Sequence, residues 1–219
     1  MLKDKRFVLF DIDGTLIDSR LEIIACIRAA LAGLGHKLDT DQNLDFCLGP
    51  PMSSSMRKVL EHYGDDRVAE ALTLFYAHQA QLPISNVLVY SGIIELLDTI
   101  RATDRQMFIA TSKMEDIAGR LLSRLGLHGY FRAVHGALPG DGQKSKEEII
   151  QFIIETFNLP RSSVIMIGDR SFDMIGATAN QVTGAGALWG YGSAEELVAS
   201  GAQILWDTPT EVVQAFQQS

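Results

Sequence analysis

The chain has 219 residues, 47% hydrophobic and 21% charged, the balance of a globular protein whose core needs no covalent staples. Its formal net charge of -8 argues against a nucleic-acid polymer or an anionic membrane as main partner, because both attract basic surfaces. Two cysteines, Cys26 and Cys47, without a CxxC spacing, and no apolar run near eighteen residues, point to free thiols, no membrane span and a cytoplasmic setting.

The first predicted element is a strand over Phe7–Phe10, a short apolar run that ends at Asp11. From about Asp18 to about Pro83 the pattern is helical with no clear strand. Leu21, Ile24, Ile27, Leu31 and Leu34 form one apolar stripe, stopped by Gly35. Met56, Val59, Leu60 and Tyr63 form a second, stopped by Gly64, and Ala69, Leu72, Phe75 and Tyr76 a third. After Ser91 helices and strands alternate. Ile93, Leu96, Leu97 and Ile100 share one helix face; Ile149, Ile150, Ile153 and Phe157 share another. Between and beyond them lie apolar runs at Met107–Ala110 and Val164–Ile167, and a weaker one at Gly184–Leu188. Unbroken apolar strands suit a parallel sheet covered on both faces. The expected fold is therefore α/β, a doubly wound parallel sheet formed by residues 1–17 and 84–219, with an inserted helical cap domain over 18–83. An insertion directly after the first strand overhangs the carboxyl ends of the strands, where open α/β sheets bind ligands.

The chemistry concentrates at those strand ends. Phe10-Asp11-Ile12-Asp13-Gly14-Thr15 delivers two carboxylates, two residues apart, into a Gly-Thr turn. Asp13-Gly14 alone is ordinary turn chemistry. A second acid at the end of a buried strand is not, since unpaired buried charge is costly. The pair makes a hard-cation site of the kind magnesium shares with substrate phosphate. Asp11 can attack phosphorus, and Asp13 can protonate a leaving oxygen and then activate water. Thr111, Ser112 and Lys113 follow a second apolar run; hydroxyl and N–H groups at a strand-to-helix junction hold phosphate oxygens or simply cap a helix. Gly168-Asp169 closes a third run, with Asp173 one helical turn later, and Asp169 reads as completing the metal site begun by Asp11 and Asp13. Lys144 and Lys146 precede a helix; taken alone they read as a solvated loop, and beside the acids either is a candidate for the cation needed to offset nucleophile and phosphate charge. Lys146 is favoured because it leads directly into the apolar stripe.

Together these residues resemble the four motifs of the haloacid dehalogenase superfamily: Asp11-x-Asp13-Gly14-Thr15, Thr111 or Ser112, Lys146, and Gly168-Asp169-x-x-x-Asp173. Leu48-Gly49-Pro50-Pro51 and Thr111-Ser112-Lys113 are similar to the phosphoglycolate phosphatase-like branch, although Met114 stands where that branch often has proline. Gly168-Asp-Arg-Ser-Phe-Asp with Leu188-Trp-Gly-Tyr-Gly-Ser resembles that branch's 5′-nucleotidases. The resemblance implies an Mg2+-dependent phosphomonoester hydrolase acting on a small phosphorylated metabolite. Asp11 would be nucleophile and metal ligand. Asp13 would be general acid/base and would ligate metal through its carbonyl, and Asp169 and Asp173 would complete the metal site. Thr111, Ser112 and Lys146 would hold the phosphoryl group. Gly14, Thr15, Lys113, Gly49 and Pro50 are further candidates for contact with phosphate or substrate. Arg57 and Lys58 read as a solvated face, the histidines as uninvolved, and Trp189 and Tyr191 as packing near the last strand. The same constellation suits a sugar-phosphate mutase of the β-phosphoglucomutase type. A phospho-accepting receiver module is a shorter chain without the Asp-x-Asp-Gly-Thr run.

Overall fold

The structure, a computed structural model, describes residues 2–37, 42–82, 87–138 and 144–218. In chain order the elements are β1 (Phe7–Phe10), β2 (Ile17–Asp18), α1 (Arg20–Gly33), α2 (Met52–Glu61), α3 (Val68–Gln79), β3 (Leu88–Val89), α4 (Ile93–Arg101) and β4 (Gln106–Met114). There follow α5 (Glu115–Arg124), β5 (Ala133–Ala137), α6 (Lys146–Thr156), β6 (Val164–Gly168), α7 (Ser171–Ala179), β7 (Thr183–Ala187), α8 (Ala194–Ala199), β8 (Ile204–Trp206) and α9 (Pro209–Gln217). Six strands form one sheet in the order β5-β4-β1-β6-β7-β8, and every pairing in it is parallel. This is the doubly wound sheet expected from the apolar runs.

Successive residues of a strand point to opposite faces, so β1 needs apolar side chains on both. Val8 and Phe10 enter a core with Ile93, Leu97, Leu122 and Val212 of α4, α5 and α9. Leu9 enters a second core with Ile149, Ile150 and Ile153 of α6 and Ala177 of α7. All four residues of the α4 stripe are fully buried, and of the α6 stripe only Phe157, just past the helix end, is partly exposed. Lys146 opens α6 behind a capping box, in which Ser145 Oγ accepts from the Glu148 N–H and the Ser145 N–H donates to Glu148 Oε2 at 2.7 Å.

Four short strands escaped the sequence reading. β5 and β8 are partly exposed, with His135 and Gly136 interrupting the apolar pattern of β5. β2 and β3 pair antiparallel over two residues each, so the stretch from Asp18 is not purely helical. This ribbon is the neck from which α1–α3 spring. The expected return to the core at Pro83 and residue 84 lies outside the described residues.

The three helices of this unit share their own core, with Ile27, Leu31, Met56, Leu60 and Phe75 buried together. Ile27, Leu31 and Leu34 of the α1 stripe are buried as expected and Ile24 is half-buried, but Leu21 falls outside it. Leu21 is 73% exposed, and the buried set is Ile23, Cys26, Ile27, Ala30 and Leu31, with Leu34. In α3 Ala71, not Ala69, is buried. Gly35 and Gly64 follow the ends of α1 and α2 at φ of 88° and 64°, the left-handed stop that glycine permits. Arg57 and Lys58 are exposed, as a solvated face requires. No helix among the described residues is long and apolar enough to cross a membrane.

Leu31→Ala empties a site in this core and will cost about 2–5 kcal/mol, whereas Leu21→Ser will change stability by less than about 0.5 kcal/mol; urea unfolding of both variants checks the corrected stripe. Cys26 and Cys47 are free and buried in the same core, and burial pushes both thiols up to about 12. Neither will react with a disulfide reagent at pH 8 in the native protein, and both will react in denaturant.

Candidate active site

The carboxyl ends of β1, β4 and β6 meet where the sheet's three longest apolar runs terminate. Asp11 follows β1 directly, and its N–H donates to Ile167 O at 3.0 Å. Asp169 follows β6, and Asp173 lies in the first turn of α7. Asp11, Asp169 and Asp173 are all buried, and each can bring one carboxylate oxygen within 4.8 Å of the other two. Two of these acids come from strand ends fixed by the parallel register and the third from the helix that β6 feeds.

Lys146 answers this charge. Its Nζ lies 3.0 Å from Asp11 Oδ1 and 2.8 Å from Asp173 Oδ1, and donates to Ala110 O at 2.8 Å. Burial alone would lower its pKa, but the two carboxylates outweigh it, so the ammonium is held charged. Lys144 instead rests over the Phe152 ring, 4.9 Å from its centroid. Of the two lysines left open by spacing, Lys146 is therefore the one that reaches the acids. One ammonium does not neutralise three carboxylates. Burial, with Asp173 and Asp13 adding to it, raises Asp11 to about 6, even though Lys146 opposes the shift. Burial, and then Asp173 and Asp11, raise Asp169 well above the usual carboxylate range.

That excess tests whether the site suits a divalent cation. The donors are hard oxygens, and two negative charges remain after Lys146 is counted. Asp173 Oδ1 meets Lys146 as an ion pair without hydrogen-bonding geometry, so it keeps an acceptor position open. Both features fit magnesium, with Asp11, Asp169 and Asp173 as side-chain ligands. The carboxylate of Asp13 stands outside this group, which leaves its backbone carbonyl for the role expected of it.

Asp13 is held by different partners. Ser19 Oγ donates to its Oδ1 at 2.6 Å, and Lys113 Nζ lies 3.1 Å from its Oδ2. Lys113 is itself raised, since Asp13 and Glu22 outweigh the effect of burial. Its contact is thus with the second acid. The turn after the two acids works by backbone freedom. Gly14 has φ of 86°, and a Cβ there would strike the carboxylate of Asp169. At Gly168 a Cβ would strike Asp173. Thr15 Oγ1 donates to Asp169 Oδ1 at 3.1 Å.

Thr111 and Ser112 were expected at a strand-to-helix junction. They lie inside β4, which runs on to Met114 after its register against β5 slips past Ala110. Thr111 Oγ1 accepts the Lys113 N–H at 3.2 Å. Asp11, Asp13, Thr111, Ser112 and Lys113 line one cleft from the core side, and Gly49, Pro50, Met52, Phe75 and Tyr76 line it from the helical unit. Gly49 packs its bare backbone against the Arg170 side chain, whose Nη1 donates to Leu48 O.

Tyr191 does more than pack near the last strand. Its N–H donates to Asp169 Oδ2 at 2.8 Å, its hydroxyl accepts the Ser19 N–H at 2.9 Å and donates to Asp18 Oδ1 at 3.1 Å. Trp189 Nε1 donates to Thr15 O at 2.9 Å. These two residues and Ser19 were missed as supports of the acids. Ser19 stands six residues from Asp13 and Tyr191 twenty-two from Asp169, but Tyr191 meets Ser19 and Asp18, and Trp189 meets Thr15, across more than 170 positions; only the Leu188–Ser193 likeness drew attention to the segment.

Comparison with known proteins agrees with this geometry. A family model described as haloacid dehalogenase-like hydrolase matches residues 8–187. A 5′-nucleotidase of Pseudomonas aeruginosa is 31% identical over 192 residues, covering 87% of this chain and 86% of that protein. A phosphoglycolate phosphatase of Colwellia psychrerythraea is 24% identical over 219 residues, covering 97% of each. A crystal structure described as a predicted phosphatase from Clostridium acetobutylicum superposes with a TM-score of 0.89 at 29% identity, over 98% of this chain and 99% of that one. With its strand-end acids, its single buried lysine and a family match from the first strand to the end of β7, the chain belongs to the haloacid dehalogenase-like hydrolase family.

Proposed function

We propose that the chain is a magnesium-dependent phosphomonoester hydrolase for a small phosphorylated metabolite, working through an aspartyl-phosphate on Asp11. One observation carries this reading: two carboxylates stand side by side in the cleft in different settings, Asp11 against Lys146 and Asp13 against Ser19 and Lys113. Carboxylates so separated suit a nucleophile and an acid/base.

In the first step an Asp11 oxygen attacks phosphorus and the bond to the leaving oxygen breaks. A protonated Asp13 gives that oxygen its proton, releasing an alcohol. In the second step the Asp13 carboxylate takes a proton from water, whose oxygen attacks the same phosphorus. Phosphate leaves and the Asp11 carboxylate is restored. Thr111 Oγ1 and the backbone of Ser112 orient the phosphoryl oxygens, and Lys146 offsets charge on Asp11 as it is transferred. Asp11, Asp169, Asp173 and the carbonyl of Asp13 would hold magnesium, which would supply charge stabilisation to the phosphoryl group.

The relatives suggest two substrates, a 5′-nucleotide and phosphoglycolate. Phosphoglycolate carries a carboxylate that calls for a second cation. Among the described residues lining the cleft Lys113 is the one cation, and Asp13 already pairs with it. The rest of the lining is mostly apolar and aromatic, with Ile23, Met52, Phe75, Tyr76 and Met114 beside one uncharged amide, Gln79, a wall suited to a nucleoside. A nucleoside 5′-monophosphate is therefore the favoured substrate.

Phosphate release from nucleoside 5′-monophosphates will require magnesium and will exceed release from phosphoglycolate. Full wild-type turnover in excess chelator would contradict the metal assignment. Asp11→Asn will lower kcat by roughly 10³-fold or more with its melting temperature retained. Lys146→Ala will be inactive and destabilised by about 3–5 kcal/mol, because it strands buried carboxylates. Lys144→Ala will keep wild-type rate and stability; the reverse pattern in paired assays would reassign the lysine.

A further inference from the structure

The helical unit contributes one polar pair to the site that the mechanism does not use. Glu22, in the first turn of α1, is buried, and Gln79 closes α3. Gln79 Nε2 donates to Glu22 Oε1 at 2.6 Å. A carboxylate offers only acceptors, so it must face the NH2 end of an amide. Glu22 thereby fixes which way the Gln79 amide points. The opposite end, Gln79 Oε1, is buried and has no hydrogen-bond partner among the described residues. Gln79 lines the cleft beside Phe75 and Tyr76, across from the catalytic acids.

A buried acceptor without a partner is uncommon in a finished structure. It is sensible where a ligand brings the missing donor. We propose that Gln79, held in orientation by Glu22, is the specificity-determining residue for the leaving group, its Oε1 accepting a hydrogen bond from a neutral hydroxyl or amine of a phosphorylated nucleoside. The proposal rests on the phosphomonoesterase reading above. It adds selection in two senses. A leaving group with a donor completes the pair. One ending in a carboxylate brings no donor and faces the charge of Glu22, so it is turned away.

The test compares kcat/KM for four compounds with magnesium, in the wild type and in Gln79→Met, which keeps side-chain length and loses the acceptor. The compounds are adenosine 5′-monophosphate, its 2′,3′-dideoxy analogue, inosine 5′-monophosphate and p-nitrophenyl phosphate. The wild type will prefer the adenosine compound to one of the two analogues by roughly tenfold, the worth of one hydrogen bond. In Gln79→Met that ratio will fall to near one while p-nitrophenyl phosphate, which has no donor, is turned over as before. The dideoxy arm identifies a sugar hydroxyl and the inosine arm a base amine. The proposal is overturned if the ratio survives in Gln79→Met, or if the variant slows p-nitrophenyl phosphate by the same factor, which is the mark of a structural role. A wild type active on p-nitrophenyl phosphate but indifferent to the donors overturns this proposal and leaves the phosphatase reading standing. A wild type inert on all four overturns both.

Discussion

Three buried carboxylates share one buried ammonium, and much of this molecule is arranged around that imbalance. Lys146 reaches from the start of α6 to the carbonyl of Ala110 in β4, to Asp11 after β1 and to Asp173 in α7. It thus ties four elements at the strand ends. Ion pairs buried this deeply give little net stability once desolvation is counted. Three carboxylates against one ammonium leave an excess of negative charge at the strand ends, which suits a divalent cation. Burial, and then the neighbouring carboxylates, push both Asp11 and Asp169 up.

The geometry around the acids follows from space as much as charge. Parallel strands bring Asp11 and Asp169 out at neighbouring levels, one residue apart, because Phe10 is in register with Ile167. The turn at Gly14 then passes so close to Asp169 that no side chain fits. Asp13, two residues on, is turned toward Ser19 and Lys113. One short peptide therefore presents two carboxylates to different partners, Asp11 to Lys146 and Asp13 to Ser19 and Lys113.

Most of this was legible in the sequence because it rests on local pattern. Buried parallel strands are continuous apolar runs, and an acid at the end of such a run stands out. The α4 stripe could be read because its apolar residues repeat with the helical period. The start of the α1 stripe could not, because Leu21 and Ile24 are as apolar as Ile23, and only packing against α3 decides which are covered. The two-residue strands of the neck are too short to show a period. Thr111 and Ser112 belong to β4 because β5 pairs on past a slip in register, a tertiary fact. Ser19 and Tyr191 act through hydroxyl and backbone groups far apart in the chain. Lys144 and Lys146 were separated by the capping box of Ser145, which sets where α6 begins and so which lysine faces inward.

The place of β1 in the sheet has a consequence for how the chain comes together. Phe7 pairs with Gln106 on one side and with Val164 on the other. The central strand is the earliest of the six in sequence, and its last neighbour is the fourth. At a synthesis rate of roughly 5–20 residues per second, its apolar run waits on the order of ten seconds for that neighbour to emerge. Meanwhile α1, α2 and α3 are complete, and the buried residues of their core all lie between Ile23 and Phe75. Contacts close in sequence form early and distant strand pairings form late. The helices that overhang the site thus have the means to take shape first, and Asp11 is set in place only when β6, bringing Asp169 behind it, joins the sheet.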